Sequence, residues 1–205
     1  MLARVGERIA AEPVPLPARI DDPERWDYRR VTVAGRFRHD LEMPIAARTY
    51  EGRIGYHLVT PLERAEGPPV LVDRGWIPAD RLDPASRPES VAQETATLSG
   101  IARIPSPPGW FQPDNRPRDN AWYWIDREAM AARAGLGPVA PVVVEAGAGA
   151  GQEGLPVGGR TRLSVPNNHL QYALTWYSLA VVLIAIYVSF HWRRPSGPGR
   201  PSGPS

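Results

Sequence analysis

Pro166-Asn167-Asn168-His169-Leu170-Gln171-Tyr172-Ala173-Leu174-Thr175-Trp176-Tyr177 runs directly into Ser178 to Trp192. From Leu170 to Trp192 there are 23 residues without Asp, Glu, Lys or Arg. At about 1.5 Å of rise per residue a helix of that length covers about 34 Å, enough for a hydrocarbon core of about 30 Å. The nine Leu, Val, Ile and Phe residues between Ala173 and Phe190 together favour insertion by roughly 4 kcal/mol. Tyr172, Trp176 and Tyr177 at one end and Tyr187 and Trp192 at the other stand where amphipathic rings prefer to lie. The stretch therefore predicts a transmembrane helix, and whatever precedes it is a domain held at a lipid surface.

The polar lip of this helix carries the unusual chemistry. Pro166 ends the incoming segment, and Asn167 or Asn168 can cap the first turn. His169 then sits at a helix N-terminus, whose partial positive charge disfavours imidazolium and keeps the ring in the neutral form that can ligate a metal. Helical spacing places His169, Tyr172, Ala173 and Trp176 on one face. Two readings are open: a capped helix end with an interfacial histidine and an aromatic belt, or a metal ligand above an aromatic wall.

Upstream, residues 30–76 break into short runs rich in β-branched and aromatic residues. Val31, Val33 and Phe37 fit a first strand with Gly35 as a bulge; Ile45 to Tyr50, Ile54 to Val59 and Val70 to Trp76 supply three more, with Glu51-Gly52 as a hairpin turn. Alternation sends Val70, Val72, Arg74 and Trp76 to one face. A buried Arg74 needs a carboxylate or a main-chain carbonyl as partner; the other reading is a clamp for an anionic group. Residues 78–89 are a Pro- and charge-rich connector with a helical turn at Ala79 to Leu82. Thr95 to Ile104, Asn120 to Ile125 and Val139 to Glu145 read as further strands. Asp126 caps a short helix ended by Gly135. Between them Pro105 to Arg118 carries five prolines, and its Trp110 and Phe111 either fill the mouth of a barrel, the commoner use of such residues, or meet a partner. Residues 147–159 form a Gly-rich loop without the Lys and Ser/Thr of a phosphate-binding loop.

These elements divide the chain into a helical and Pro-rich lead-in (1–18), a β-rich domain (19–165), the membrane helix with its lip (166–192) and a Pro/Gly/Ser tail (193–205). The fold class is mainly β, a small barrel-like domain with short helices, plus one C-terminal transmembrane helix. The chain contains no cysteine, which excludes disulfides, thiolate metal sites and thiol nucleophiles. Its formal net charge of +2 and the lack of a basic stripe with stacking aromatics argue against a nucleic-acid partner. No nucleophile, zinc or dinucleotide motif is present, so an enzyme is not expected. His39, His57 and His191 read as hydrogen-bonded, surface or helix-end residues.

The run Pro166-Asn167-Asn168-His169-Leu170-Gln171-Tyr172 entering an apolar helix resembles the C-terminal signature of the Surfeit locus protein 1 family, membrane-anchored assembly factors of cytochrome c oxidase. Gly55-Tyr56 with Thr60-Pro61, followed by Val70 to Pro78 with Arg74, Gly75, Trp76 and Pro78, is similar to that family's central block, Asp73 standing where Asn is usual. Pro108-Gly109-Trp110-Phe111 through Asp126 resembles its third block, with the order at Asp114-Asn115 reversed. The likeness covers about residues 31–192. It implies a role in maturing the haem-copper oxidase, with haem a as cofactor, oxidase subunit I and haem a synthase as partners, and His169 as the axial imidazole. The residues add Tyr172 and Trp176 as aromatic surface and Arg160, Arg162 or Arg74 as a cation for the propionates. The alternative is a scaffold that binds subunit I without touching haem. The family is multi-pass in the inner or plasma membrane, with its β-rich domain outside, and an upstream membrane helix is expected. None precedes this domain, which reads as a chain starting downstream of its true start, or processed.

Overall fold

The computed structural model describes residues 2–92, 94–147, 154–159 and 169–192, in two compact units, 1–161 and 162–205. The first unit begins with helix α1 (Leu2–Ala10) and strand β1 (Val14–Pro15). It continues through β2 (Arg29–Phe37), β3 (Met43–Tyr50), β4 (Arg53–Glu63) and β5 (Val70–Pro78) to the one-turn helix α2 (Pro88–Val91). β6 (Thr95–Arg103), α3 (Arg127–Arg133) and β7 (Val143–Ala146) complete it. The second unit contributes one long helix, α4 (His169–Trp192).

The strands lie in the order β1-β2-β6-β7-β5-β4-β3, with a further pairing of β2 to β4. That pairing, Arg36 opposite Glu63 and Phe37 opposite Leu62, closes β2, β6, β7, β5 and β4 into a ring. The domain is therefore a small closed barrel, with β1 and β3 as flanking strands. Closure works because β4 is long: its first half pairs with β3 (Met43 opposite Val59) and its last residues reach β2. A ring leaves few unpaired backbone groups on its members, so the barrel needs little cover at its edges.

Inward-facing residues from all five ring strands, Val31, Val33, Phe37, Leu62, Val70, Val72, Ala96, Leu98, Ala102 and Val144, form one buried cluster. Leu71 and Val143 point the other way, into a second cluster with Met43, Ile45, Val59, Trp122 and Met130. Both faces of β5 and β7 are thus covered, which is why these strands read as continuous apolar runs. α3 supplies that cover. Asp126 Oδ1 accepts from the Ala129 N–H at 3.0 Å to start the helix, and Gly135, at φ +64°, follows its end, as the sequence predicts.

The expected hairpin at Glu51-Gly52 is present, both residues at positive φ as a two-residue turn between twisted strands requires. Several expectations need correction. Gly35 is not a bulge: it pairs in regular register with Ala96, and it is glycine because a Cβ there would lie 2.1 Å from the Glu63 carbonyl oxygen, where β4 closes the ring. Gly35→Ala is expected to lower stability by about 1 to 3 kcal/mol, seen as a lower thermal midpoint; an unchanged midpoint would contradict the closing contact. Residues 120–125 are not a strand. Asn120 is left-handed (φ 52°) and only single bridges form, Ile45 with Trp122 and Arg116 with Ala121. The last strand starts at Val143 rather than Val139, since Pro141 has no N–H to donate and the Ala140 N–H goes instead to the Pro69 carbonyl (2.8 Å). Trp110 and Phe111 do not fill the barrel: they are 94% and 95% exposed. In the lead-in, β1 pairs in parallel with β2, Val14 opposite Val31, a strand hidden by the prolines.

Candidate functional site

The central motif lies on β4 and β5, where the ladder slips between His57 and Val59. The simple alternation along β5 ends there. Gly75 adopts φ +118°, and a Cβ on it would meet the Val157 carbonyl oxygen at 2.3 Å. Trp76 exchanges backbone hydrogen bonds with Val157, 3.1 Å and 2.8 Å, so a segment of the Gly-rich loop is held against β5 at the one position where only glycine fits. Trp76 Nε1 donates to the Arg48 carbonyl (3.2 Å), and its ring lies 5.2 Å from that of Tyr50. Gly55 stands opposite Pro78 and Tyr56 opposite Ile77, while Thr60 is fully buried and Pro61 accepts from the Arg38 N–H at 2.9 Å. Asp73 uses both oxygens, Oδ2 2.8 Å from His57 Nδ1 and Oδ1 accepting from the Gly75 N–H at 3.0 Å. The Asp73 and His57 side chains thus hold the irregular turn of β5 in place.

Arg74 has a buried carboxylate partner, as its expected burial demands. Its Nη1 donates to Glu42 Oε1 at 2.8 Å and its Nη2 to the Ser90 carbonyl. His39 Nδ1 lies 3.2 Å from Arg74 Nη1, and the guanidinium stands 5.1 Å over the Phe37 ring. Glu42 Oε2 accepts from Arg87 Nη2 at 2.6 Å. Arg87, whose side chain is 1% exposed, also donates to the Arg81 carbonyl at 3.0 Å and to Ser90 Oγ at 2.9 Å. One carboxylate therefore serves two buried guanidinium groups, tying the 79–91 connector to the β2–β3 junction. Burial raises the Glu42 pKa, but the neighbouring His39, the hydrogen bond from Arg87 and the charges of Arg87 and Arg74 outweigh it and hold the carboxyl below its ordinary value. Arg74 is pulled down by burial and by Arg87, with Glu42 opposing. Its guanidinium is committed inside the fold, so it is not the free cation for propionates that the sequence offers as one choice. The partners Glu42, Arg87 and Ser90 carried no sequence signal: a glutamate before a strand and an arginine in a Pro-rich connector look like solvated surface.

α4 is apolar on every side. Leu174, Val181, Ile184, Tyr187 and Phe190 are all exposed, and Ala173–Phe190 is long and apolar enough to cross a membrane. Ser178 Oγ donates to the Leu174 carbonyl at 2.7 Å, so its hydroxyl adds no unpaired group to the apolar surface. His169 is the first helical residue, and by helical register Ala173 and Trp176 follow it on the same face, Trp176 being 69% exposed. Pro166, Asn167 and Asn168, with the expected cap, and Arg160 and Arg162 lie outside the described residues, as do the side chains of His169, Leu170, Gln171 and Tyr172. On the turns that follow the helix start, that face carries the small Ala173 and the exposed indole of Trp176. Among the described residues no group of three or more His, Cys, Asp and Glu could hold a metal ion.

The SURF1 family profile matches residues 1–181, spanning the barrel and the first half of α4. A SURF1-like protein of Monosiga brevicollis is 35% identical over 201 residues, which cover 92% of this chain and 76% of that protein. Surfeit locus protein 1 of Mus musculus is 34% identical over 209 residues (95% and 67%), and that of Homo sapiens 34% over 196 residues (88% and 64%). With the match running through the closed barrel and into the apolar helix α4, the chain belongs to the SURF1 family.

Proposed function

We propose that this chain is a membrane-anchored assembly factor for haem-copper cytochrome c oxidase and that it holds haem a for delivery to subunit I, with haem a synthase as the donor. The observation that carries the reading is the family match over 1–181, which takes in the barrel and the first half of the helix that starts at His169. The bound group would supply an iron that takes a nitrogen ligand. His169 would give that ligand. Tyr172 and Trp176 offer aromatic surface along the same helix, and Arg160 or Arg162, just before it in sequence, offers the cation for the propionates. In this reading the chain performs no chemical transformation. Cells lacking it are expected to contain less assembled oxidase, measured by native gel and by the haem a absorption of their membranes; normal oxidase in such cells contradicts the assignment.

The charges flanking the helix support an orientation. Arg193, Arg194 and Arg200 follow it, against Arg160 and Arg162 before it, a small majority that favours a cytoplasmic C-terminus and an external barrel. A reporter fused after Ser205 is expected to be active in the cytoplasm. Activity on the opposite side would reverse the orientation and move His169 to the inner surface.

A further inference from the structure

The turn at Gly109–Gln112 is built to display two aromatic side chains. The Gln112 N–H donates to the Gly109 carbonyl at 3.0 Å, closing a four-residue turn with Trp110 and Phe111 at its two corners. Gln112 locks it: its Oε1 accepts from the Gly109 N–H at 3.1 Å, and its Nε2 donates to the Tyr123 carbonyl at 2.7 Å. Three residues on, Asn115 Oδ1 accepts from the Tyr123 N–H at 2.8 Å, and its Nδ2 donates to the Trp124 carbonyl at 3.2 Å. The base of the loop is thus fastened to the segment that carries buried Trp122. Prolines 105, 107, 108 and 113 further reduce the freedom lost on ordering. The tip nevertheless leaves Trp110 and Phe111 94% and 95% exposed, and no charged residue occurs from Ile104 to Pro113.

We propose that this turn docks on the lipid bilayer, seating Trp110 and Phe111 at the boundary between headgroups and acyl chains as a second, non-spanning membrane contact of the chain. The inference rests on the reading of α4 as a membrane span, because that span keeps a bilayer within the reach of the tethered domain at high effective concentration. Size favours lipid over protein as the occupant. Two aromatic side chains bury at most about 500 Å² together, well short of the ~800 Å² per partner of a standard protein interface, whereas an interfacial anchor needs only an apolar edge. Chemistry agrees: an indole with an N–H beside a phenyl ring is the pair enriched at membrane interfaces, and an uncharged tip brings no ion into the acyl region.

The chain's lack of cysteine makes the test direct. Full-length Phe111→Cys, Glu51→Cys and Val181→Cys variants, each spin-labelled and reconstituted into phosphatidylcholine–phosphatidylglycerol vesicles, report depth through collision with oxygen against a water-soluble nickel chelate. The oxygen-to-nickel ratio is expected to be highest at 181 and lowest at 51, in the charged hairpin. At 111 it should be several-fold above the value at 51, and adding Trp110→Ser should bring it down. If 111 matches 51 while 181 reads deep, the docking is overturned and the membrane span stands. If all three read aqueous, both fall. A label at 111 that is shielded only after a membrane protein partner is added identifies a protein occupant and likewise overturns the lipid proposal.

Discussion

Glu42→Leu is expected to remove about 3 to 5 kcal/mol of stability from the barrel, out of a total of about 5 to 15 kcal/mol for a domain of this kind. The magnitude follows from the charge count. Glu42 faces Arg74 at 2.8 Å and Arg87 at 2.6 Å, and leucine would leave two like charges buried together with no counter-ion. At about 2 to 4 °C per kcal/mol for a domain of this size, the thermal midpoint should fall by roughly 6 to 20 °C, and yield should fall with it. Arg74→Leu should cost less, because Glu42 and Arg87 remain as a neutral pair. A larger loss for Arg74→Leu than for Glu42→Leu would contradict this division. If Arg74→Leu left stability unchanged and impaired only oxidase assembly, the side chain would be a binding group and not a structural one.

The same carboxyl sets an acid limit. The Glu42 pKa is held down in the folded protein, so its stabilising effect is complete above the unfolded-state value and is lost as pH falls through the lower, folded value. The thermal midpoint of the parent should therefore decline on acidification below about pH 4.5 more steeply than that of Glu42→Gln, which has no such proton to take up. Parallel pH profiles for the two proteins would contradict the linkage.

His169→Ala is expected to have the largest effect on function and almost none on folding. The residue opens α4, in the unit that does not contain the barrel. Cells carrying the variant should hold the protein at normal levels in the membrane, yet contain less oxidase or an oxidase short of haem. His57→Ala is the contrast: it removes the 2.8 Å contact with Asp73, a loss of about 1.5 to 3 kcal/mol, but leaves the proposed ligand in place. The two variants should separate, one stable and defective in delivery, the other less stable and able to deliver.

Much of the architecture was legible because it rests on local patterns. A charge-free run marks α4, β-branched runs mark β2 to β6, and Asp126 with Gly135 brackets α3. What escaped depends on distant parts of the chain. Barrel closure consists of two residue pairs, Arg36 with Glu63 and Phe37 with Leu62, and neither strand announces the other. Ala121 to Ile125 has a strand's composition, but Asn120 turns left-handed and Trp122 is drawn into the outer cluster, so tertiary packing overrides propensity. Arg74 was readable as buried and paired, while Glu42 and Arg87 were not, since an ion pair spanning 32 or 45 residues leaves no periodic trace. Trp110 and Phe111 carry the composition of a core and the position of a surface, which only the hydrogen-bonded turn beneath them distinguishes.

Haem retention tests the central proposal most directly. The protein purified in mild detergent from cells that make haem a should show the absorption of a haem bound to a histidine, and the His169→Ala protein, isolated in equal amount, should show little or none. Equal haem in both preparations would contradict the assignment of His169, and a parent protein that is colourless from cells rich in haem a would contradict haem holding altogether, leaving a scaffold for subunit I.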